Sequence, residues 1–144
     1  MKRIAKIVTT DATGTVQAAA EFALTLKGGE IVALYGNLGA GKTTFVQALG
    51  KALGVRERMT SPTFVYMHTH PLTDGPIRMF VHVDAYRIDA EGLRGIGLEE
   101  FLGAPGIVTV IEWADKAAEL LPEKRIEIHF THLGGDKRGI DISR

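Results

Sequence analysis

The sequence contains no cysteine, so disulfide bonds, thiolate metal sites and thiol-based catalysis are excluded. It also has no formal net charge, because 17 Lys and Arg residues balance 17 Asp and Glu residues. A chain without a global field is not drawn as a whole to nucleic acid or to an anionic membrane surface. No hydrophobic run is long enough to span a bilayer. These absences predict a protein of a reducing compartment without a membrane anchor, and the cytoplasm is the default location.

The first ten residues are basic but lack the apolar segment of a signal peptide. No internal repeat, low-complexity tract or linker-like shift in composition divides the 144 residues. With 45% hydrophobic residues, the chain can bury a core of its own. We therefore expect residues 1–144 to form a single domain.

An apolar segment, residues 31–35, runs into a glycine-rich loop and then into a helical pattern. Residues 36–43 match the phosphate-binding motif G-x-x-x-x-G-K-[ST], with a strand before and a helix after, as that motif requires. The loop glycines can adopt positive φ angles, so that backbone N–H groups surround an anion at the helix N-terminus. Lys42 would then reach the β- and γ-phosphates of a nucleotide, and the Thr43 hydroxyl would bind Mg²⁺.

The predicted nucleotide is ATP, since no Asn-Lys-x-Asp motif for reading guanine is present. The predicted cofactor-binding residues are those of the loop and of the first helical turn: Asn37, Leu38, Gly39, Ala40, Gly41, Lys42, Thr43 and Thr44.

Two acids follow apolar, β-prone runs: Glu112 comes after residues 106–111 and Asp84 after residues 80–83. Hydrolysis needs a carboxylate near the metal and the γ-phosphate, and the carboxyl ends of parallel strands are its usual source. Glu112 is the preferred candidate for polarising the attacking water or holding a metal-bound water, and Asp84 for the metal side. Each could instead only cap a strand end. The predicted catalytic set is Lys42, Asp84 and Glu112, and the metal set is Thr43, Asp84 and Glu112.

Three further features have two interpretations each. Trp113, the single tryptophan, is either a core aromatic or a gate beside Glu112. Arg87 either stabilises transferring phosphate or pairs with an acid, and the second is preferred. Residues 60–66 are either a turn before a strand or a loop that senses the nucleotide. The five histidines lack the spacing of a metal site.

Hydrophobic periodicity predicts an alternation of strands and helices along the chain. Strands are expected at residues 2–8, 31–35, 64–69, 77–83, 106–111, 125–130 and 139–142, with 64–69 and 77–83 forming a hairpin. Helices are expected at residues 12–26, from the glycine loop to Gly54, and at 115–121, with short helical pieces in 89–102.

Six blocks of the sequence resemble the bacterial TsaE (YjeE) family in order and spacing, over nearly the whole chain. They are Gly-Asn-Leu-Gly-Ala-Gly-Lys-Thr-Thr-Phe (36–45), Ser-Pro-Thr-Phe (61–64), His-Val-Asp-Ala-Tyr-Arg (82–87), Gly-Leu-Glu-Glu-Phe (97–101), Ile-Glu-Trp (111–113) and Leu-Leu-Pro (120–122). The resemblance implies a small P-loop ATPase that uses ATP and Mg²⁺ and is needed to make threonylcarbamoyladenosine in tRNA. It also implies docking on a TsaB–TsaD pair, so that tRNA is served indirectly.

The same resemblance implies an α/β fold with a P-loop NTPase-like sheet, whose parallel central strands are flanked by antiparallel strands and covered by helices on both faces. By position, it places Thr15 close to the nucleotide and makes residues 61–63 the nucleotide-sensitive loop. Asp84 and Glu112 are the acids, and Trp113 is their functional neighbour. Two alternatives stay open: a small-molecule kinase, for which few basic residues lie outside the loop, and a nucleotide-dependent binding module.

Overall fold

A computed structural model of the chain describes residues 1–37, 39–59 and 66–144. Its strands are β1 (Arg3–Thr9), β2 (Ile31–Tyr35), β3 (Met67–Pro71), β4 (Met79–Asp84), β5 (Ile107–Glu112), β6 (Ile126–His132) and β7 (Arg138–Ser143). Its α-helices are α1 (Ala12–Ala23), α2 (Lys42–Leu53) and α3 (Ala90–Gly95), and two 3₁₀ segments span Leu98–Glu100 and Ala114–Leu120. In the described part of the chain, no helix is long and apolar enough to cross a membrane.

The seven strands of the described residues form one sheet in the order β1-β7-β6-β2-β5-β4-β3. The four central strands, β6, β2, β5 and β4, run parallel to one another. The strands outside them pair antiparallel: β7 with β6, β1 with β7, and β3 with β4. This arrangement confirms the expected parallel centre with antiparallel flanks, and it places β2 and its glycine loop in the middle of the sheet.

Helical segments cover both faces of this sheet, as expected. Successive strand residues point to opposite faces, so Val32 and Leu34 of β2 pack with α1 and α2, while Ala33 packs with α3 and the 3₁₀ segments. Residues 31–34 of β2 are all buried. A strand buried on both sides reads as a continuous apolar run, which explains why this one is conspicuous in the sequence.

A side-chain hydrogen bond and a left-handed glycine explain where α1 begins and where α2 ends. Asp11 caps α1 by accepting a hydrogen bond from Gly14 N–H (2.8 Å), and this helix ends at Ala23, three residues before the predicted Leu26. Helix α2 ends at Leu53, and Gly54 with its φ of +115° provides the predicted left-handed cap.

One prediction of local structure needs correction. The segment predicted as an α-helix at 115–121 is a 3₁₀ segment from Ala114 to Leu120, interrupted by non-helical angles at Ala117. It is confined between Trp113 and Pro122, and such short segments favour 3₁₀ geometry. The predicted hairpin is confirmed, since β3 pairs with β4 from Met67–Val83 to Pro71–Met79. Residues 60–65 of the loop predicted at 60–66, and Leu38, lie outside the described residues.

Candidate functional site

A cleft of about 460 Å³ lies at the carboxyl ends of β2, β4 and β5. Ligands of open α/β sheets bind at this edge. Of the described residues predicted to bind nucleotide, all but Asn37 line the cleft: Thr15, Gly39, Ala40, Gly41, Lys42, Thr43 and Thr44. Asp84, Arg87, Glu112 and Trp113 line it too. The structure therefore brings these candidate residues, which lie far apart in the sequence, together around one cavity.

The glycines of the loop have the backbone angles that the sequence predicts. Gly36, Gly39 and Gly41 have φ values of +144°, +78° and +100°. A Cβ on Gly36 would lie 2.7 Å from the Phe130 carbonyl oxygen, so this position has no room for a side chain. Gly41 precedes α2, and its carbonyl accepts the hydrogen bond from Phe45 N–H (3.0 Å) that closes the first turn. The N–H groups ahead of Phe45 are the ones that a helix leaves for an anion.

Lys42, the first residue of α2, is held by two contacts inside the cleft. Its Nζ donates a hydrogen bond to the Gly36 carbonyl and lies 3.4 Å from the centroid of the Trp113 ring. Burial lowers the pKa of Lys42, and the nearby carboxylates of Glu112, Asp115 and Asp84 only partly oppose this effect. The ammonium group is thus poorly solvated, which favours exchange of its present contacts for an anion.

Glu112 is buried, with 2% of its surface exposed, and both of its carboxylate oxygens have partners. Oε1 accepts a hydrogen bond from the Thr43 hydroxyl (3.1 Å), and Oε2 lies 2.6 Å from His82 Nε2. The end of β5 is therefore linked to the first turn of α2 and to β4. Sequence reasoning predicted Thr43 and Glu112 for this site but missed His82.

Asp84 stands beside Glu112 at the same edge, because the two are register partners on the parallel strands β4 and β5. Its carboxylate is only partly buried, and Oδ1 accepts a hydrogen bond from Tyr86 N–H (3.0 Å). Residues 80, 82 and 84 share one face of β4, and this alternation is the signal that could have drawn attention to His82. The two predicted acids are thus neighbours, but they differ in burial and in partners.

The start of α1 and the β6–β7 turn also line the cleft. Thr15 is buried there, and its hydroxyl lies 3.2 Å from that of Thr9. Arg138 donates from Nε to the Gly39 carbonyl (3.1 Å) and so connects β7 with the glycine loop. Sequence reasoning missed Arg138, because its position depends on β7 pairing beside β6, and no local pattern reports that pairing.

The fold and the cleft define an α/β protein with a polar site at the carboxyl ends of its parallel strands, where a lysine, a threonine and two carboxylates meet. The sequence model of the family described as "Threonylcarbamoyl adenosine biosynthesis protein TsaE" matches residues 9–140. The chain therefore belongs to the TsaE family, which confirms the resemblance found in the sequence.

Individual relatives agree with this assignment. The chain is 43% identical to "tRNA threonylcarbamoyladenosine biosynthesis protein TsaE" of Streptomyces coelicolor, over 77% of this chain and 74% of that protein. It is 36% identical to the protein of the same name from Aquifex aeolicus, over 100% of this chain and 99% of that one. The crystal structure of Bacillus subtilis YdiB is similar at a TM-score of 0.77 and 32% identity, covering 98% of this chain and 84% of that one.

Proposed function

We propose that this chain binds Mg²⁺ and ATP in the cleft and hydrolyses the ATP in support of threonylcarbamoyladenosine modification of tRNA. The observation that carries the proposal is the meeting of Lys42, Thr43, Asp84 and Glu112 beside a loop of positive-φ glycines. A loop of this kind binds phosphate, and hydrolysis further requires a carboxylate at the metal and water. The names of the relatives from Streptomyces coelicolor and Aquifex aeolicus support the role in tRNA modification.

The carboxylate and hydroxyl oxygens in the cleft suit Mg²⁺ as ligands. This ion binds oxygen, usually from one or two protein carboxylates together with substrate phosphates. Thr43 can keep donating its hydroxyl proton to Glu112 while a lone pair of its oxygen faces the metal. We therefore assign Glu112 to the metal side. Bound there, Mg²⁺ would neutralise charge on the phosphates.

Asp84 is then the candidate for orienting the attacking water, because it is the more exposed of the two acids and lies directly beside Glu112. The sequence alone favours the opposite division, since Glu112 follows the more continuous strand. The contact of Glu112 with Thr43 is the reason for reversing that preference.

We further propose that hydrolysis is slow in the isolated chain and faster when a TsaB–TsaD pair is bound. The support is membership of the TsaE family together with a general property of phosphoryl transfer: an arginine or an ordering contact from a partner contributes roughly 10³ to 10⁵ in rate. The chain would then act on tRNA indirectly, through the complex that carries out the modification.

The test is release of inorganic phosphate from ATP by the full chain, with and without Mg²⁺ and the TsaB–TsaD pair. Lys42→Met should abolish hydrolysis, because it removes the cation that faces the phosphates. Lys51→Met is the matched control, since Lys51 lies in the last turn of the same helix and does not line the cleft. Equal rates for Lys42→Met and the unmodified chain would contradict the proposal. Labelled phosphate found on a small molecule rather than released would instead identify a kinase.

A further inference from the structure

His82 is a fully buried histidine in the middle of β4, where a strand in a sheet centre ordinarily carries an apolar side chain. Its Nε2 lies 2.6 Å from Glu112 Oε2, and its Nδ1 is buried without a hydrogen-bond partner among the described residues. Burying a ring nitrogen without a partner costs free energy. The ring is thus a worse core residue than a phenylalanine, and its contact with Glu112 needs a reason other than packing.

The position of the proton follows from the chemistry of the pair. When Glu112 is ionised, its carboxylate can only accept hydrogen bonds, so that His82 Nε2 carries the proton of this short contact and the histidine is the donor. Hydrogen bonds to an ionised acceptor are short and roughly twice as strong as bonds between neutral groups. His82 therefore fixes Oε2 of Glu112 firmly.

The second oxygen of Glu112 is fixed from another element. Oε1 accepts from the Thr43 hydroxyl in the first turn of α2, while Oε2 is bound from β4. A carboxylate bound at both oxygens cannot rotate about its last bond without breaking a hydrogen bond. Its orientation toward Thr43 is thus set by His82, which does not itself line the cleft.

We propose that His82 is a positioning residue for ATP hydrolysis, which orients the Glu112 carboxylate toward Thr43 and the metal position. The inference rests on the proposed function of the cleft. Without the histidine, Oε2 is left buried without its donor, and the carboxylate is released to turn away from Thr43. Binding of phosphates by the glycine loop and Lys42 does not involve this bond and is expected to persist.

The first experiment replaces His82 by phenylalanine, which keeps a ring of similar shape but has no donor. Loss of a partner that orients a metal-site group typically costs about 10- to 100-fold in activity, and we expect a fall in kcat of that size at saturating Mg²⁺ and ATP. The affinity for ADP without Mg²⁺, measured by calorimetry, should stay unchanged. The control is His70→Phe, since His70 is also a buried strand histidine but pairs with Glu57 away from the cleft.

A second pair of variants separates orientation from packing and remains informative where the phenylalanine variant fails to fold. His82→Gln places an amide donor near the position of Nε2, and His82→Met has a similar length without a donor. The glutamine variant should retain most of kcat, and the methionine variant should show the loss. Equal kcat in the two variants would overturn the positioning role.

Nuclear magnetic resonance of the histidine ring nitrogens provides a readout that does not depend on turnover. We expect His82 to carry its proton on Nε2, with a shift in that resonance on Glu112→Gln; a proton on Nδ1 alone would overturn the inference. If the unmodified chain hydrolyses ATP and His82→Phe does so equally well, the positioning role is wrong while the proposed function stands. If the unmodified chain neither binds nor hydrolyses ATP, the proposed function fails and the role of His82 fails with it.

Discussion

The contact between Lys42 and Trp113 leads to the prediction that removing the indole ring strengthens nucleotide binding. Lys42 Nζ lies 3.4 Å from the centroid of the ring, which is a cation–π contact of short range. Under the proposed function, the lysine must leave this contact to reach the phosphates. A contact that is present only in the free protein opposes binding by its own free energy.

The expected size follows from the strength of that contact. A lysine over a tryptophan face is worth about 0.5–2 kcal/mol, the upper end applying to desolvated pairs. Because 1.4 kcal/mol corresponds to a factor of ten, losing the contact on binding weakens affinity by about 2- to 30-fold. Trp113→Leu is therefore expected to lower the Kd for ADP by that factor. Trp113→Phe should have an intermediate effect, because tryptophan is the best of the aromatic partners for a cation.

Isothermal titration calorimetry of ADP against the three proteins measures this effect directly, and thermal denaturation checks that each variant is folded. An unchanged Kd in both variants would show that Lys42 stays on the ring when nucleotide binds. A raised Kd would show that the indole itself holds the nucleotide. Either result would refute the competition between the ring and the phosphates.

Three further predictions concern the acids and the loop. Asp84→Asn should lower kcat by about 10²- to 10⁴-fold. Glu112→Gln should instead raise the Mg²⁺ concentration needed for activity by about 10- to 100-fold. An identical Mg²⁺ dependence in the two variants would contradict the division of roles between the two acids. The hydrogen bond from His70 lowers the pKa of Glu57 below 4.5, so this pair stabilises the fold above pH 4.5 and loses its effect as the pH falls through the folded-state pKa. In the Glu57→Gln variant, the melting temperature should therefore fall less steeply as the pH is lowered below 4.5. An unchanged acid dependence of the melting temperature would contradict the role of this pair. Gly36→Ala should lower the free energy of unfolding, measured by urea denaturation, by about 1–3 kcal/mol, because it adds a side chain at positive φ against a carbonyl oxygen. A smaller loss would mean that the loop can shift.

Local elements could be predicted from the sequence where one physical signal dominates. The run of β2 is apolar because the strand is buried on both faces, and Gly54 marks the end of α2 because it alone takes the left-handed cap without strain. The type of helix in the segment after Trp113 could not be predicted in the same way. Its composition suits either kind of helix, and the choice of 3₁₀ depends on what confines it at both ends.

The hydrogen bonds of the site could not be predicted, although most of its residues could. Glu112 and Thr43 are identifiable from motif and strand end, but the bond from His82 to Glu112 joins positions 30 apart and needs the register of β4 on β5. The bond from Arg138 to Gly39 joins positions 99 apart and depends on β6 lying between β7 and β2. Strand order across a sheet is a property of the whole chain, and periodicity along one segment does not encode it.

Two adjacent residues at the end of β5 contact two adjacent residues at the start of α2. Alternation along the strand directs Glu112 to the face of α2, where it accepts from Thr43. Trp113 follows the last strand residue with a φ of +58°, packs against the hydrophobic cluster of the opposite face, and also lies with its ring against Lys42. Under the proposed function, a phosphate would therefore compete with Trp113 for the lysine, whereas a metal at the Thr43 oxygen would leave the bond to Glu112 intact. The proposed function thus makes affinity for phosphate and affinity for metal depend on different residues, and we expect the two affinities to be separable by substitution.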